Sequence, residues 1–457
     1  MSEPTIHPLA MTNCLTEYYR CPSRYAKFSV TGQLSQASGY FCFGDNTVYG
    51  RCCDLRPADA PTVPLGNAAQ GVRFEEGTTY LPFDLRQVVD SLRNELYMGE
   101  WAGGRMKSAI AGAYYFVRPV LPVSVRKHLQ RIRLRNWDRL PFPHWPVDRT
   151  VDNLMEQVLL LSLRAQNLKR IPFIWFWPEG ASSCALVTHD VETASGTDLC
   201  AMLMDANDSF GIKASFQVIP EERYHVTKEF LHSIRQRGFE VVVHDLNHDG
   251  RLFGNRQRFM ERAVKINAYG KEFGATGFRA GILYRNQQWY DALDFEYDMS
   301  VPNVAHLDPQ RGGCCTVMPY FIGRVLELPV TMTQDYTLFN ILNDYSTELW
   351  ERQIELIMEK HGLISVVIHP DYLTGFRERG IYRGLLAHLA DLRERKNLWI
   401  ATPGEVNRWW RQRGAMTIVE EGEQLRIEGA GSERACIAYA SEKDGRLSID
   451  LQGVCVS

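Results

Sequence analysis

Residues 184–196 read CALVTHDVETASG. Ala185, Leu186 and Val187 have the character of a buried strand, and the run stops at Thr188, His189, Asp190, Val191 and Glu192. Strand ends meet water, so polar residues there are ordinary. A histidine and two carboxylates in so short a span also suit the mouth of a reactive site. The remainder of the chain decides between these readings.

The pattern recurs between about 171 and 412. Short apolar runs at 184–188, 214–218 (ASFQV), 240–243 (EVVV), 276–279 and 363–368 (LISVVI) alternate with helical stretches at 226–237, 254–273 and 338–360. Such alternation predicts parallel strands with helices outside, as a barrel or a doubly wound sheet. Both architectures put reactive residues at the carboxyl ends of strands. Four strand ends carry the same kind of chemistry. The run at 184–188 leads into His189, Asp190 and Glu192; EVVV leads into His244-Asp245-Leu246-Asn247-His248; the run near Phe278 ends in Arg279; LISVVI ends in His369.

A lone histidine beside an apolar stretch is usually structural, but four strand ends of one sheet converge on one rim. Two imidazoles four residues apart, His244 and His248, can share a divalent ion, and a carboxylate completes a three-ligand site with an open position. Asp190 or Glu192 supplies that carboxylate, and the other is free to act as a base. Zinc is the first expectation for the ion, with cobalt or nickel as alternatives. Arg279 can keep the base ionised, and His369 can protonate a leaving amine. These are the parts for metal-assisted hydrolysis of an amide or ester.

The same residues resemble the motifs of the polysaccharide deacetylases of the NodB-homology type (carbohydrate esterase family 4). Thr188 to Glu192 resembles the first motif, Thr-Phe-Asp-Asp-Gly; His244 to His248 the second, His-(Ser/Thr)-x-x-His. Arg279-Ala280-Gly281 resembles the Arg-x-Pro motif, and ISVVIHP, ending in His369, the last. The resemblance covers about 180–410. It implies a distorted (β/α) barrel and hydrolysis of acetyl groups on sugars by a metal-dependent deacetylase. By position it makes Asp190 the base, with Arg279 and His369 as further catalytic residues, and Glu192, His244 and His248 the metal ligands; the roles of Asp190 and Glu192 are exchangeable. The residue that orients the catalytic histidine has no clear counterpart, and Asp335 and Asp371 are candidates. Gly281 stands in place of the motif's proline.

The expected organisation is an irregular α+β region over 1–170, the barrel over 171–412 and a small β appendage over 413–457. In the first region, 39–51 (GYFCFGDNTVYGR) reads as a hairpin, 83–97 as a helix, and 151–168 as another. The run IPFIWFWPEG at 171–180 suits sugar stacking or, more often, a core.

The 457 residues are 45% hydrophobic and 23% charged with a formal net charge of −3, a globular balance without electrostatic bias toward nucleic acid or an anionic membrane. No stretch is long and apolar enough to predict a membrane span. The N-terminal residues lack a basic stretch followed by an apolar core, so a cytoplasmic location is expected. The 11 cysteines show no ligand spacing and predict mostly buried, reduced thiols. The expected partner is a carbohydrate or other small-molecule substrate, with no nucleic acid; oligomeric state is not readable. Two other functions fit the same residues: an amidase of this fold acting on a non-sugar amide, and an inactive carbohydrate-binding protein.

Overall fold

The computed structural model describes residues 13–102, 134, 136–422 and 424–451, and the side chains of 100–102 lie outside that description. Two compact units emerge. One comprises residues 92–152 and 181–410, the other residues up to 91, 153–180 and those from 411 onward.

The larger unit is built on nine strands: β1 (Ser183–Val191), β2 (Ser215–Val218), β3 (Glu240–His244), β4 (Gly277–Arg279), β5 (Tyr297–Asp298), β6 (Tyr320–Ile322), β7 (Val325–Glu327), β8 (Leu363–Ile368) and β9 (Leu398–Ile400). Their order is β6-β7-β5-β4-β3-β2-β1-β8, with β9 beside the start of β1. Every pairing is parallel except β6 with β7. The sheet curls until its two sides are bridged. After β7 the chain pairs Val330 with Pro302, then turns to β8, where Met332 N donates to Ser365 O at 3.3 Å. Thr331 Oγ1 stands in for a ladder group there, donating to Leu363 O at 2.7 Å and accepting from Ser365 N at 2.9 Å.

The strands form as their composition dictates. β1 and β8 are buried along their whole length, as expected of strands covered on both faces. Helices return the chain between them: α1 (Ala194–Asp208), α2 (Lys228–Arg235), α3 (Arg256–Phe273), α4 (Glu348–Met358) and α5 (Phe376–Lys396). Thr193, Thr227 and Asn255 cap α1, α2 and α3 by accepting a backbone N–H, and Gly274 closes α3 in the left-handed conformation. The helix expected over 338–360 is divided. Residues 337–342 make a π turn, Asn343 is left-handed at φ 55°, and Ser346 N donates to Asp344 Oδ1 before α4 starts. Asparagine and aspartate compete for the backbone at that point and break the periodic pattern.

In the smaller unit, strands Gly39–Phe43 and Asn46–Gly50 form the hairpin. Arg170–Ile174 pairs with the C-terminal strand Ile437–Lys443, which pairs in turn with Arg446–Leu451. The aromatic run falls inside this unit's core: Phe173, Trp175, Phe176 and Trp177 are all buried. Among the described residues nine cysteines are free thiols, eight of them buried, whereas Cys436 is in a disulfide, against the expectation of reduced thiols. No helix among the described residues is long and apolar enough to cross a membrane.

One glycine sets the spacing at the centre of the sheet. Gly277 faces Tyr297 in register, and a Cβ there would lie 2.1 Å from Tyr297 Cζ, overlapping the edge of a ring whose hydroxyl donates to Glu240 Oε1 at 2.5 Å. The G277A substitution is expected to destabilise the chain by about 1–3 kcal/mol through overpacking. A fall in the urea midpoint at unchanged slope will show it.

Candidate active site

The two-residue period of a strand sorts the residues at the end of β1. Thr188, Asp190 and Glu192 share one side, whereas His189 turns to the other. There His189 is fully buried, its Nε2 lying 3.2 Å from Asn207 Nδ2 and 3.3 Å from Tyr382 Oη, with its ring against Phe216. Burial pushes its pKa down to about 3. His189 is therefore a neutral part of the packing between sheet and helices. The strand brings two ionisable groups to the site rather than three.

Asp190 meets Arg279 at the end of β4. Arg279 is wholly buried, and its Nη1 donates to Asp190 Oδ1 and to Thr188 Oγ1, each at 2.7 Å. Its Nε donates to Met299 O at 3.0 Å. Burial alone would raise the Asp190 pKa, but the guanidinium, helped by His244 and His369, holds it below the usual carboxylate range.

His244 ends β3. Its Nδ1 lies 3.1 Å from Arg279 O, an acceptor, so Nδ1 carries the proton and the lone pair sits on Nε2. That Nε2 is buried without a hydrogen-bond partner, and burial pushes the ring pKa down to about 4. A neutral imidazole with an uncommitted inward nitrogen is what a cation requires. The loop then folds back through left-handed Asp245 (φ 56°) and His248 (φ 53°). Arg223 pins it, donating to Asn247 O at 3.1 Å and His248 O at 2.6 Å. His248 Nε2 comes 3.0 Å from Glu192 Oε1, and burial, which opposes its charge, is outweighed by that carboxylate, raising the pKa. Donor atoms of Glu192, His244 and His248 all lie within 4.8 Å of one another. Gly281 packs against this group: a Cβ there would sit 2.5 Å from Asp245 Oδ2 and 2.8 Å from His248 Cδ2.

His369 follows β8, with its Nε2 3.6 Å from Glu192 Oε1. On its far side Asp335, itself fully buried, lies 2.6 Å from Nδ1 and accepts from the His369 backbone N–H at 2.7 Å. Burial disfavours the charged ring, but Asp335, Glu192 and Asp190 together raise its pKa to about 10. Of the two aspartates considered from sequence, Asp335 contacts the histidine, while Asp371 accepts from Thr193 Oγ1. Asp249 does not support a histidine either: both its oxygens accept from Arg262 at 2.7 Å. Arg223 carried no sequence signal, because its partners are backbone carbonyls of a loop whose path the sequence does not reveal.

No family model matches the chain, and no curated protein matches it in sequence. It is similar to solved structures. A protein of Mycobacterium smegmatis assigned as a polysaccharide deacetylase aligns with a TM-score of 0.43 at 17% identity, over 55% of this chain and 98% of that one. The peptidoglycan deacetylase PdaC of Bacillus subtilis gives 0.34 at 12% identity, over 52% and 96%. Puue allantoinase gives 0.39 at 10% identity, over 51% and 92%.

Removing Arg279 leaves Asp190 as an uncompensated buried charge. R279M is expected to destabilise the protein by about 3–5 kcal/mol at neutral pH. The sign with pH follows from the lowered Asp190 pKa. Its stabilising contribution is present above the unfolded value, about 3.9, and is lost as pH falls through the folded value. The difference between R279M and wild type should therefore narrow on acidification, as read from denaturant melts at several pH values.

Proposed function

We propose that this chain is a metal-dependent hydrolase of the polysaccharide-deacetylase kind, built on a distorted (β/α) barrel and removing the acyl group from an N-acylated amino sugar. One observation carries the reading: three donors, Glu192, His244 and His248, meet between an arginine-held carboxylate and an aspartate-held histidine. The donor set suits zinc, cobalt or nickel, and the partnerless buried Nε2 of His244 supports that fit. Such an ion, when bound, polarises the acyl carbonyl and makes water acidic.

The protein's own groups do the rest. Asp190, kept ionised by Arg279, takes a proton from the water that attacks the acyl carbon. His369, kept protonated by Asp335, gives its Nε2 proton to the departing nitrogen, so the C–N bond breaks to a carboxylic acid and an amine. Glu192 is assigned to the cation rather than to proton transfer, because it touches His248 whereas Asp190 is engaged by Arg279.

Two measurements test this. Elemental analysis should find about one divalent ion per chain, lost in H244A/H248A, together with release of acetate from N-acetylated amino sugars in a panel that also contains ureides and imides. No ion after incubation with excess zinc or cobalt would end the proposal, and turnover of the ureides alone would redirect it to a non-sugar amide. The second concerns pH. Loss of Asp335 as D335N removes the group that raises the His369 pKa, so the acid loses its proton at lower pH. The alkaline limb of kcat/KM should shift down by about one unit or more, with kcat lowered roughly 100-fold.

A further inference from the structure

The turn that follows β4 is held in a conformation its own residues disfavour. Ile282 lies at φ 62° and ψ 14°, and Leu283 at φ 52°. Positive φ is uncommon outside glycine and is an outlier for a β-branched residue. Such strain persists only where the surroundings over-determine it. This turn is also the piece of backbone that packs on His248, through Gly281.

What over-determines it is a buried ion pair from a distant part of the chain. Arg285, 3% exposed, donates from Nη1 to Leu283 O at 3.0 Å. Its backbone is fixed by Gln310, which accepts from Arg285 N and donates to Arg285 O, both at 3.0 Å. Its guanidinium is met by Glu95, 8% exposed: Nε donates to Oε2 at 2.7 Å and Nη2 donates to Oε1. Glu95 Oε1 also accepts from Gly313 N at 2.6 Å. Two carboxylate oxygens thus engage the fork of an arginine that itself grips the strained turn, a planar fit lysine or glutamine would not reproduce.

We infer that Glu95 is a positioning residue of the site: acting through Arg285, it holds the Gly281–Leu283 turn against His248. Glu95 touches none of the donor or proton-transfer groups, and the sequence shows no motif around it. The inference rests on the proposed metal site for one of its two readouts only.

The first readout needs no metal. Backbone amide exchange across 280–285 in the metal-free protein should be at least about tenfold faster in E95Q than in wild type, with β1 unchanged. Equal exchange in the turn overturns the inference. Because E95Q leaves the buried guanidinium without its counter-charge, it can fail to fold; E95L/R285M, which removes both charges, then carries the same comparison.

The second readout is cobalt(II) affinity by titration. E95Q should bind about tenfold more weakly, as expected when support behind a ligand is lost. Adding I282G should restore most of that loss, because glycine takes the positive φ without steric cost. A pair that merely glued loops together would not be rescued at a residue it does not touch, so an unrescued double variant overturns the inference. Absence of cobalt binding by the wild type would defeat the metal-site reading instead, and the exchange measurement alone would then decide the role of Glu95.

Discussion

A guanidinium with no exposure to water survives in a folded protein only if its charge is met. Arg279 meets that requirement with Asp190, and its Nη1 and Nε hydrogen bonds to Asp190, Thr188 and the carbonyl of Met299 tie β4 to β1 and to the residue after β5, while its Nη2 has no hydrogen-bond partner among the described residues. Its own carbonyl accepts from His244 Nδ1 and from Asp245 N at 2.8 Å. One residue therefore fixes the charge state of a carboxylate, the tautomer of an imidazole and the start of the loop that carries His248. The first of these depends on the side chain and the other two on the backbone carbonyl, which a substitution at Arg279 retains.

The candidate site gives its carboxylate Asp190 and its histidine His369 each a private partner. Asp190 is pushed down by an arginine and His369 is pushed up by an aspartate, although both are fully buried and burial opposes both shifts. Opposed environments of this kind let a carboxylate and an imidazolium coexist in one site without exchanging the proton between them.

How much of this was legible in the sequence follows from the range of the interactions. Asp190 and Glu192 were readable because their two-residue spacing is local, and the spacing of His244 and His248 is local too. The same periodicity, applied strictly, would have removed His189, which faces Asn207 and Tyr382 instead. The long helix over 338–360 failed for a local reason as well, since Asn343 and Asp344 outbid its apolar period. Asp335 was one of two candidates between which the sequence could not choose, and Glu95 was not legible at all. Each meets its partner, His369 or Arg285, only because the sheet curls or a loop returns. Local patterns exposed the candidate ligands and the candidate base; the groups that tune and hold them come from tertiary structure.

The bridge between β7 and β8 gives the curl a weak point with a mechanical meaning. There a threonine hydroxyl does the work of ladder amides, and Asp335 lies four residues beyond it. The sheet's junction and the partner of His369 are thus carried on one short length of chain. Slackening that junction would draw Asp335 away from the imidazole and lower its hold on the proton, so the basicity of His369 is a gauge of how tightly the sheet is shut.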